Sequence, residues 1–164
     1  YTLKDFLTDG HIKNFDNSHV RFLAGIDDLP FGKITEEHFN IALENFDKHF
    51  ETFGITERFD ESLIYIKKQF NWSFPYYVNA NVSKKGNYQN KFDAETTELL
   101  NHFNKYDIKL YEYANKKFDT IIDALGEPFQ KELAKFKKLN KLQSPLRKTA
   151  RDMWLFFEKS KKGS

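Results

Sequence analysis

The spacing of large apolar side chains is the feature that most constrains how this chain can fold. Two stretches place them at intervals of four, three and four residues: Phe39, Leu43, Phe46 and Phe50, then Phe59, Leu63, Ile66 and Phe70. This spacing aligns the side chains on one face of an α-helix. The 164 residues include 18 Phe and 8 Tyr but only 7 Gly and 4 Pro, so turn-forming residues are scarce. The sequence therefore predicts a mainly α chain.

Charge and composition exclude several classes of protein and site. Lys and Arg number 26 against 24 Asp and Glu, so there is no overall basic field and we expect no nucleic acid polymer as a partner. The absence of cysteine excludes disulfides, thiolate zinc sites and cysteine nucleophiles. The five histidines lack the His-Glu-x-x-His spacing of a helical zinc site, and we predict no metal. No apolar run approaches the roughly 18 residues of a transmembrane helix.

Capping residues and helix breakers divide the chain into segments. Helix starts are predicted at residues whose side chains can accept backbone N–H bonds: Thr2, Asp16 or Asn17, Thr35, Thr56 and Asp93. Helix ends or breaks are predicted at Gly10, Gly25, Asn104, Gly126 with Pro128, and Ser144 with Pro145. Residues 52–55 and 74–82 are rich in β-branched and aromatic side chains, which predicts one or two short strands.

The junction after the second predicted strand is a candidate anion site. Residues 83–91 carry three lysines, one glycine and no acid. Ser83 offers a hydroxyl, Lys84 and Lys85 offer two ammonium groups, and the strand end offers backbone N–H groups. This set suits a phosphate or sulfate ester. A solvated hairpin loop that bears lysines explains the same residues.

Arg21 is a second candidate because it stands between Val20 and Phe22 in a mostly apolar turn. An arginine in that setting either extends from the edge of the core or projects into a groove and binds an anion. The sequence leaves both alternatives open.

Several segments occur in an order that resembles carbohydrate sulfotransferases. They are Asp16-Asn17-x-x-x-Arg21-x-Leu23-Ala24-Gly25, Thr35-Glu36-Glu37 with Ala42-x-x-Asn45, Phe53-Gly54-Ile55-Thr56-Glu57, and Asn104-x-x-Asp107-Ile108-x-Leu110-Tyr111. The third is similar to the Gly-aliphatic-Thr-Glu strand-to-helix turn of the heparan sulfate 2-O- and 6-O-sulfotransferases and their bacterial relatives. The resemblance covers about residues 1–125. It implies the C-terminal part of an α/β, P-loop-like sulfotransferase fold.

The resemblance implies an activity as well as a fold. Members of that family transfer a sulfuryl group from 3′-phosphoadenosine 5′-phosphosulfate to a carbohydrate hydroxyl, while a side-chain base takes the hydroxyl proton. The phosphate loop and the base have no match in this chain. We therefore expect them in a missing N-terminal half, assign no catalytic residue here, and expect the isolated chain to be inactive. Residues 1–125 would be part of the sulfotransferase domain, and residues 126–164 a lysine-rich, aromatic helical extension packed on it.

The resemblance also assigns binding residues. In the 6-O-sulfotransferase branch, the end of the second strand and a Thr-Arg pair in the following loop contact the donor. The corresponding residues here, which the resemblance implies bind the donor, are Val78, Asn79, Ala80, Ser83 and Lys84. Arg21 is expected to contact the carbohydrate acceptor.

An alternative to the enzyme is a non-catalytic helical interaction module. The lysine-rich residues 131–141 and the aromatic terminal helix would then form a docking surface. Abundant Lys, Asn, Phe and Ile without Cys is more typical of a bacterial-type or viral protein than of an animal one and favours a cytoplasmic location. The alternative is a membrane anchor in an absent N-terminal segment.

Overall fold

The computed structural model describes residues 2–9, 15–73, 76–78 and 92–162. Its helices are α1 Leu3–Asp9, α2 Ser18–Ala24, α3 Glu36–His49, α4 Phe59–Gln69, α5 Ala94–Phe103 and α6 Lys105–Lys162, and a 3₁₀ turn at Thr56–Arg58 precedes α4. The described residues contain no strand, which confirms the mainly α prediction. No helix within these ranges has an apolar stretch long enough to cross a bilayer.

Local caps set several helix boundaries that the sequence predicted. The Asp93 carboxylate accepts a hydrogen bond from the Thr96 backbone N–H at 2.7 Å, and this bond lowers the pKa of Asp93 below its ordinary value. At the start of α3, the Thr35 backbone N–H donates to Nδ1 of His38 at 3.1 Å. Helix α2 ends at Gly25, whose φ of 68° is the left-handed conformation that glycine adopts without strain. The predictions at Thr35, Gly25 and Asp93 are confirmed.

Two distant segments cap each other, at the start of α2 and at the start of α6. Asn17 precedes α2, but its side chain makes no cap there. Its Oδ1 instead accepts from the backbone N–H groups of Tyr106 and Asp107 at 2.8 and 3.0 Å. In return, the Asp107 carboxylate accepts from the backbone N–H groups of His19 and Val20 at 3.0 and 2.9 Å. Each helix start therefore takes its cap from the other segment.

One of the two predicted breaks in α6 is found. Gly126 has φ 60° and ψ −156°, which is not helical. Pro128 then lies in the first turn of the part that follows, where its missing N–H leaves no helical bond unmade. The predicted break at Ser144 and Pro145 is wrong, because the backbone stays helical through both residues. A proline removes one backbone hydrogen bond and bends a helix, but here the helical conformation continues on both sides.

The predicted strand at residues 52–55 is wrong. The segment is extended, with Ile55 at φ −107° and ψ 123°, but it bonds to a side chain. The Ile55 N–H donates to Oγ of Ser62 at 2.8 Å, and that hydroxyl donates to the Ile55 carbonyl at 3.1 Å. One serine thus satisfies two backbone groups that a strand would have paired. Of the second predicted strand, residues 76–78 are described and form none, and the rest lies outside the described residues.

The chain folds into two compact units, residues 1–51 with 87–119 and residues 52–86 with 120–164. The core of the first unit includes side chains from α2, the loop before α3, α3 and α6: Val20, Ile34, Ala42, Tyr106 and Leu110. The second unit buries apolar side chains of the 52–55 segment, α4 and α6: Ile55, Ile64, Tyr65, Ile122, Phe129, Leu133 and Phe136. The predicted division after residue 125 stays a prediction.

Candidate functional site

The second unit carries the segment in which the sequence places a donor site. Val78 is partly buried at the end of the described piece 76–78. The other four predicted residues, Asn79, Ala80, Ser83 and Lys84, lie outside the described residues. Donor binding by these five residues stays a prediction. The structure describes the contacts that fix the chain directly before them, at residues 76–78.

Tyr77, directly before Val78, is fixed at both its backbone and its ring. Its backbone N–H donates to Oδ1 of Asn140 on α6 at 2.9 Å. Its hydroxyl donates to Oδ1 of Asp60, in the first turn of α4, at 2.8 Å. The Phe59 ring meets the tyrosine ring edge-on, with 4.9 Å between centroids. Two helices of the second unit therefore hold this one residue.

The tie between Tyr77 and Asp60 has an electrostatic consequence. Burial, together with the hydrogen bond to the Asp60 carboxylate, raises the pKa of Tyr77 to about 12. Both causes act in the same direction, because a phenolate would be poorly solvated and would lie beside another negative charge. The phenol therefore stays protonated at neutral pH and keeps donating to Asp60.

Tyr76, the residue before Tyr77, also contacts α6 through its ring. Its ring stacks on the buried Phe136, with centroids 6.0 Å apart and planes 13° apart. The Arg147 guanidinium lies over the Tyr76 ring, with Cζ 5.1 Å from the centroid. A guanidinium in this position is attracted by the face of the ring. Arg147 is thus a cationic side chain held close to the start of the predicted donor segment.

The 53–57 motif acts through packing rather than through chemistry. A Cβ at Gly54 would lie 2.8 Å from Cβ of Ser62, so any larger residue would push α4 away. Ser62 in turn bonds to both backbone groups of Ile55, and Ile55 is buried. The glycine, the aliphatic residue and the serine together seat α4, and with it Asp60, against the 52–55 segment.

Arg21 lies in the first unit and is enclosed, with 3% of the residue exposed. Its guanidinium pairs with the Asp16 carboxylate, which is itself 1% exposed. It also donates to the backbone carbonyls of Leu29 at 2.6 Å and Pro30 at 3.1 Å. The geometry favours the packing alternative, in which Arg21 holds the loop between α2 and α3. Acceptor binding by Arg21 stays a prediction.

Sequence reasoning missed the anchoring residues Asp60, Asn140 and Arg147. Asp60 follows a helix start, where an acid is expected for capping reasons alone. Asn140 and Arg147 stand in a lysine-rich stretch without any distinguishing pattern. Within the ranges that the structure describes, no group of three or more His, Cys, Asp or Glu side chains is arranged to hold a metal ion.

Comparison with known families matches the chain to one family model. The model is described as galactose-3-O-sulfotransferase, and it matches residues 5–149. The match supports a carbohydrate sulfotransferase but not the heparan sulfate branch or the bacterial-type relatives that the motifs resembled. It also continues past residue 125, where the resemblance was expected to end. Comparison with curated proteins and with solved structures gave no match.

Proposed function

This chain belongs to the galactose-3-O-sulfotransferase family, and from that premise we propose that it serves the transfer of a sulfuryl group from 3′-phosphoadenosine 5′-phosphosulfate to a galactose hydroxyl of a glycan. The observation that carries the proposal is the extent of the family match, residues 5–149, which includes segments of both compact units. It also includes residues 131–141, which the interaction-module alternative assigned to a docking surface. The match therefore favours an enzyme over such a module.

The reaction is a displacement at sulfur. The galactose hydroxyl oxygen forms a bond to sulfur as the bond between sulfur and the 5′-phosphate oxygen breaks, and 3′-phosphoadenosine 5′-phosphate leaves. The hydroxyl proton passes to a base. We assign that base to no residue of this chain. The His19 imidazole lies 3.0 Å from Asp107 Oδ2, at the helix start that the Asp107 carboxylate caps.

We propose that Ser83 and Lys84, with the backbone at Val78, Asn79 and Ala80, contact the donor. The donor carries several negative charges, and a hydroxyl, an ammonium group and backbone N–H groups are suitable partners for them. The ties from Tyr77 to Asp60 and Asn140 support the proposal. These two hydrogen bonds fix Tyr77, the residue directly before the segment. A donor contact made next to Tyr77 therefore costs less conformational entropy on binding.

The test measures donor binding and transfer in the natural protein that carries this chain. Lys84→Ala is expected to weaken binding of 3′-phosphoadenosine 5′-phosphate in calorimetry by about 1.5–3 kcal/mol, the range for a hydrogen bond to a charged group. The matched control is Lys68→Ala, an exposed lysine at the end of α4, which should bind as the wild type does. Equal affinity of the Lys84 variant and the wild type would contradict the assignment of the segment.

Transfer is measured with sulfur-labelled donor and a panel of glycans. Label is expected on glycans that end in galactose, and it should disappear when the galactose 3-hydroxyl is replaced by hydrogen. Transfer to glycans without galactose would show that the acceptor is wrong. Absence of transfer to any glycan, together with absence of donor binding, would refute the proposed function.

A further inference from the structure

Two large aromatic rings lie side by side on the surface of the second unit. Phe70 is 54% exposed and Trp72 is 52% exposed. Their rings are stacked, with 5.5 Å between centroids and 25° between planes. Leaving two adjacent rings in water forfeits the free energy that their burial would release. A contiguous exposed apolar patch rimmed by polar side chains is a candidate surface for a ligand.

The backbone builds this pair into the end of α4. The Phe70 N–H donates to the Ile66 carbonyl at 3.1 Å, and the Trp72 N–H donates to the Lys67 carbonyl at 3.0 Å. Between them, Asn71 has φ 50°, in the left-handed region. The bond from the Trp72 N–H to Lys67 and the left-handed Asn71 form a Schellman motif, in which the chain reverses tightly after a helix. The two rings are therefore brought together by the fold before any ligand arrives.

Apart from the two rings, the side chains along residues 67–73 are polar, and Lys67 pairs with Glu132 of α6. Gln69, Asn71 and Ser73 are exposed and offer amide and hydroxyl groups. Residues 67–73 include two lysines and no Asp or Glu. This turn thus combines a flat apolar surface with neutral hydrogen-bonding groups on the same segment.

We infer that the Phe70–Trp72 pair binds the galactose ring of the acceptor by stacking. A β-galactose ring gathers the C–H groups of carbons 3, 4 and 5 on one face, because its 4-hydroxyl is axial and points to the other side. That face covers an aromatic ring, while the hydroxyls remain at the edge, where amides and hydroxyls can bond to them. The inference rests on the proposed function for the identity of the sugar.

The size of the apolar surface favours a sugar over a protein. A stable protein interface buries about 800 Å² on each partner. Within the described residues 67–73, the exposed apolar side chains are Phe70 and Trp72, and two rings are closer in size to one or two sugar rings.

The first experiment uses Trp72 as its own reporter. The given sequence has two tryptophans, so Trp154→Phe, with phenylalanine at any tryptophan outside this sequence, leaves Trp72 as the reporter in the natural protein. Its fluorescence is expected to change saturably on titration with methyl β-galactoside. The change should be smaller with methyl β-glucoside, whose C4–H points to the opposite face, so that fewer C–H groups face the ring. Equal responses to the two sugars, or no response to either, would overturn the inference.

The second experiment separates binding from chemistry in the natural protein. Trp72→Ala and Phe70→Ala are expected to raise the acceptor KM about fivefold to tenfold, since an aromatic contact is worth roughly 1 kcal/mol, and to leave kcat and the KM for the donor unchanged. Trp72→Phe, which keeps a ring, should restore most of the loss. The control is Phe22→Ala, a residue 71% exposed in the first unit, which should leave the acceptor KM unchanged.

The outcomes distinguish this inference from the proposed function. If sulfuryl transfer to galactose occurs and Trp72→Ala leaves the acceptor KM unchanged, the stacking site is wrong and the function stands. If Trp72 responds to galactoside but no transfer is found, the site stands and the function is wrong. Loss of a protein partner in the Trp72 variant, with an unchanged acceptor KM, would mean that the rings form a protein interface and would overturn the inference.

Discussion

Replacing Asp16 by alanine is expected to destabilise the first unit by about 3–5 kcal/mol, the cost of breaking a buried ion pair by removing one partner. The Asp16 carboxylate accepts from the Arg21 guanidinium, from the Gly32 backbone N–H at 2.7 Å and from Nδ2 of Asn17 at 3.0 Å. Alanine leaves the guanidinium enclosed without its counter-charge. Since a domain is stable by only about 5–15 kcal/mol, this loss is a large fraction of the total.

The assay is urea unfolding at neutral pH, followed by far-ultraviolet circular dichroism. The midpoint is expected to fall, while the dependence of the unfolding free energy on urea stays the same. The control is Lys48→Ala, which removes an exposed ion pair with Glu44 within α3 and should cost less than about 1 kcal/mol. If Asp16→Ala costs no more than this control, the reasoning from burial is refuted.

Two further predictions concern the second unit. Gly54→Ala should destabilise it by about 1–3 kcal/mol through overpacking, because the new Cβ would lie 2.8 Å from Cβ of Ser62. The loss measured by urea unfolding should shrink in a Ser62→Gly background, and an undiminished loss would contradict the clash. Tyr77 should titrate near pH 12 in an absorbance titration, and Tyr77→Phe should remove that step. Because the pKa of Tyr77 is raised from 10.0 to about 12 on folding, its bond to Asp60 should stabilise the protein fully below pH 10 and be lost as the pH rises toward 12.

Features that depend on neighbouring residues could be predicted from the sequence. The helix starts at Thr35 and Asp93 were found because a cap and the N–H it receives are three residues apart. The left-handed end of α2 at Gly25 follows from the residue type alone. In each case the information lies within one turn of helix.

Features that depend on distant residues could not be predicted. Residues 52–55 have strand propensity, but that propensity does not tell whether another strand or the Ser62 hydroxyl will bond to the backbone. Arg21 had two open alternatives because the carbonyls that enclose it, at Leu29 and Pro30, come from a loop whose path the sequence does not give.

The candidate site shows the same division between near and distant residues. The polar and cationic character of the 83–91 segment could be seen in the sequence, because it is a local property of composition. The residue that fixes the backbone of Tyr77 could not, since Asn140 is 63 positions away. Asn140 lies in the lysine-rich residues 131–141, and no sequence pattern distinguishes its amide from the neighbouring polar side chains.

The exchanged caps of Asn17 and Asp107 have a consequence for how the protein is made. His19 and Asp107 are 88 positions apart, so at a synthesis rate of about 5–20 residues per second the ribosome needs roughly 4–18 s to supply the missing carboxylate. Until then the start of α2, a helix of seven residues, lacks these caps, and a helix of that length is too short to persist alone in water. The start of α2 therefore gains its caps only after the segment that carries Asp107 has emerged.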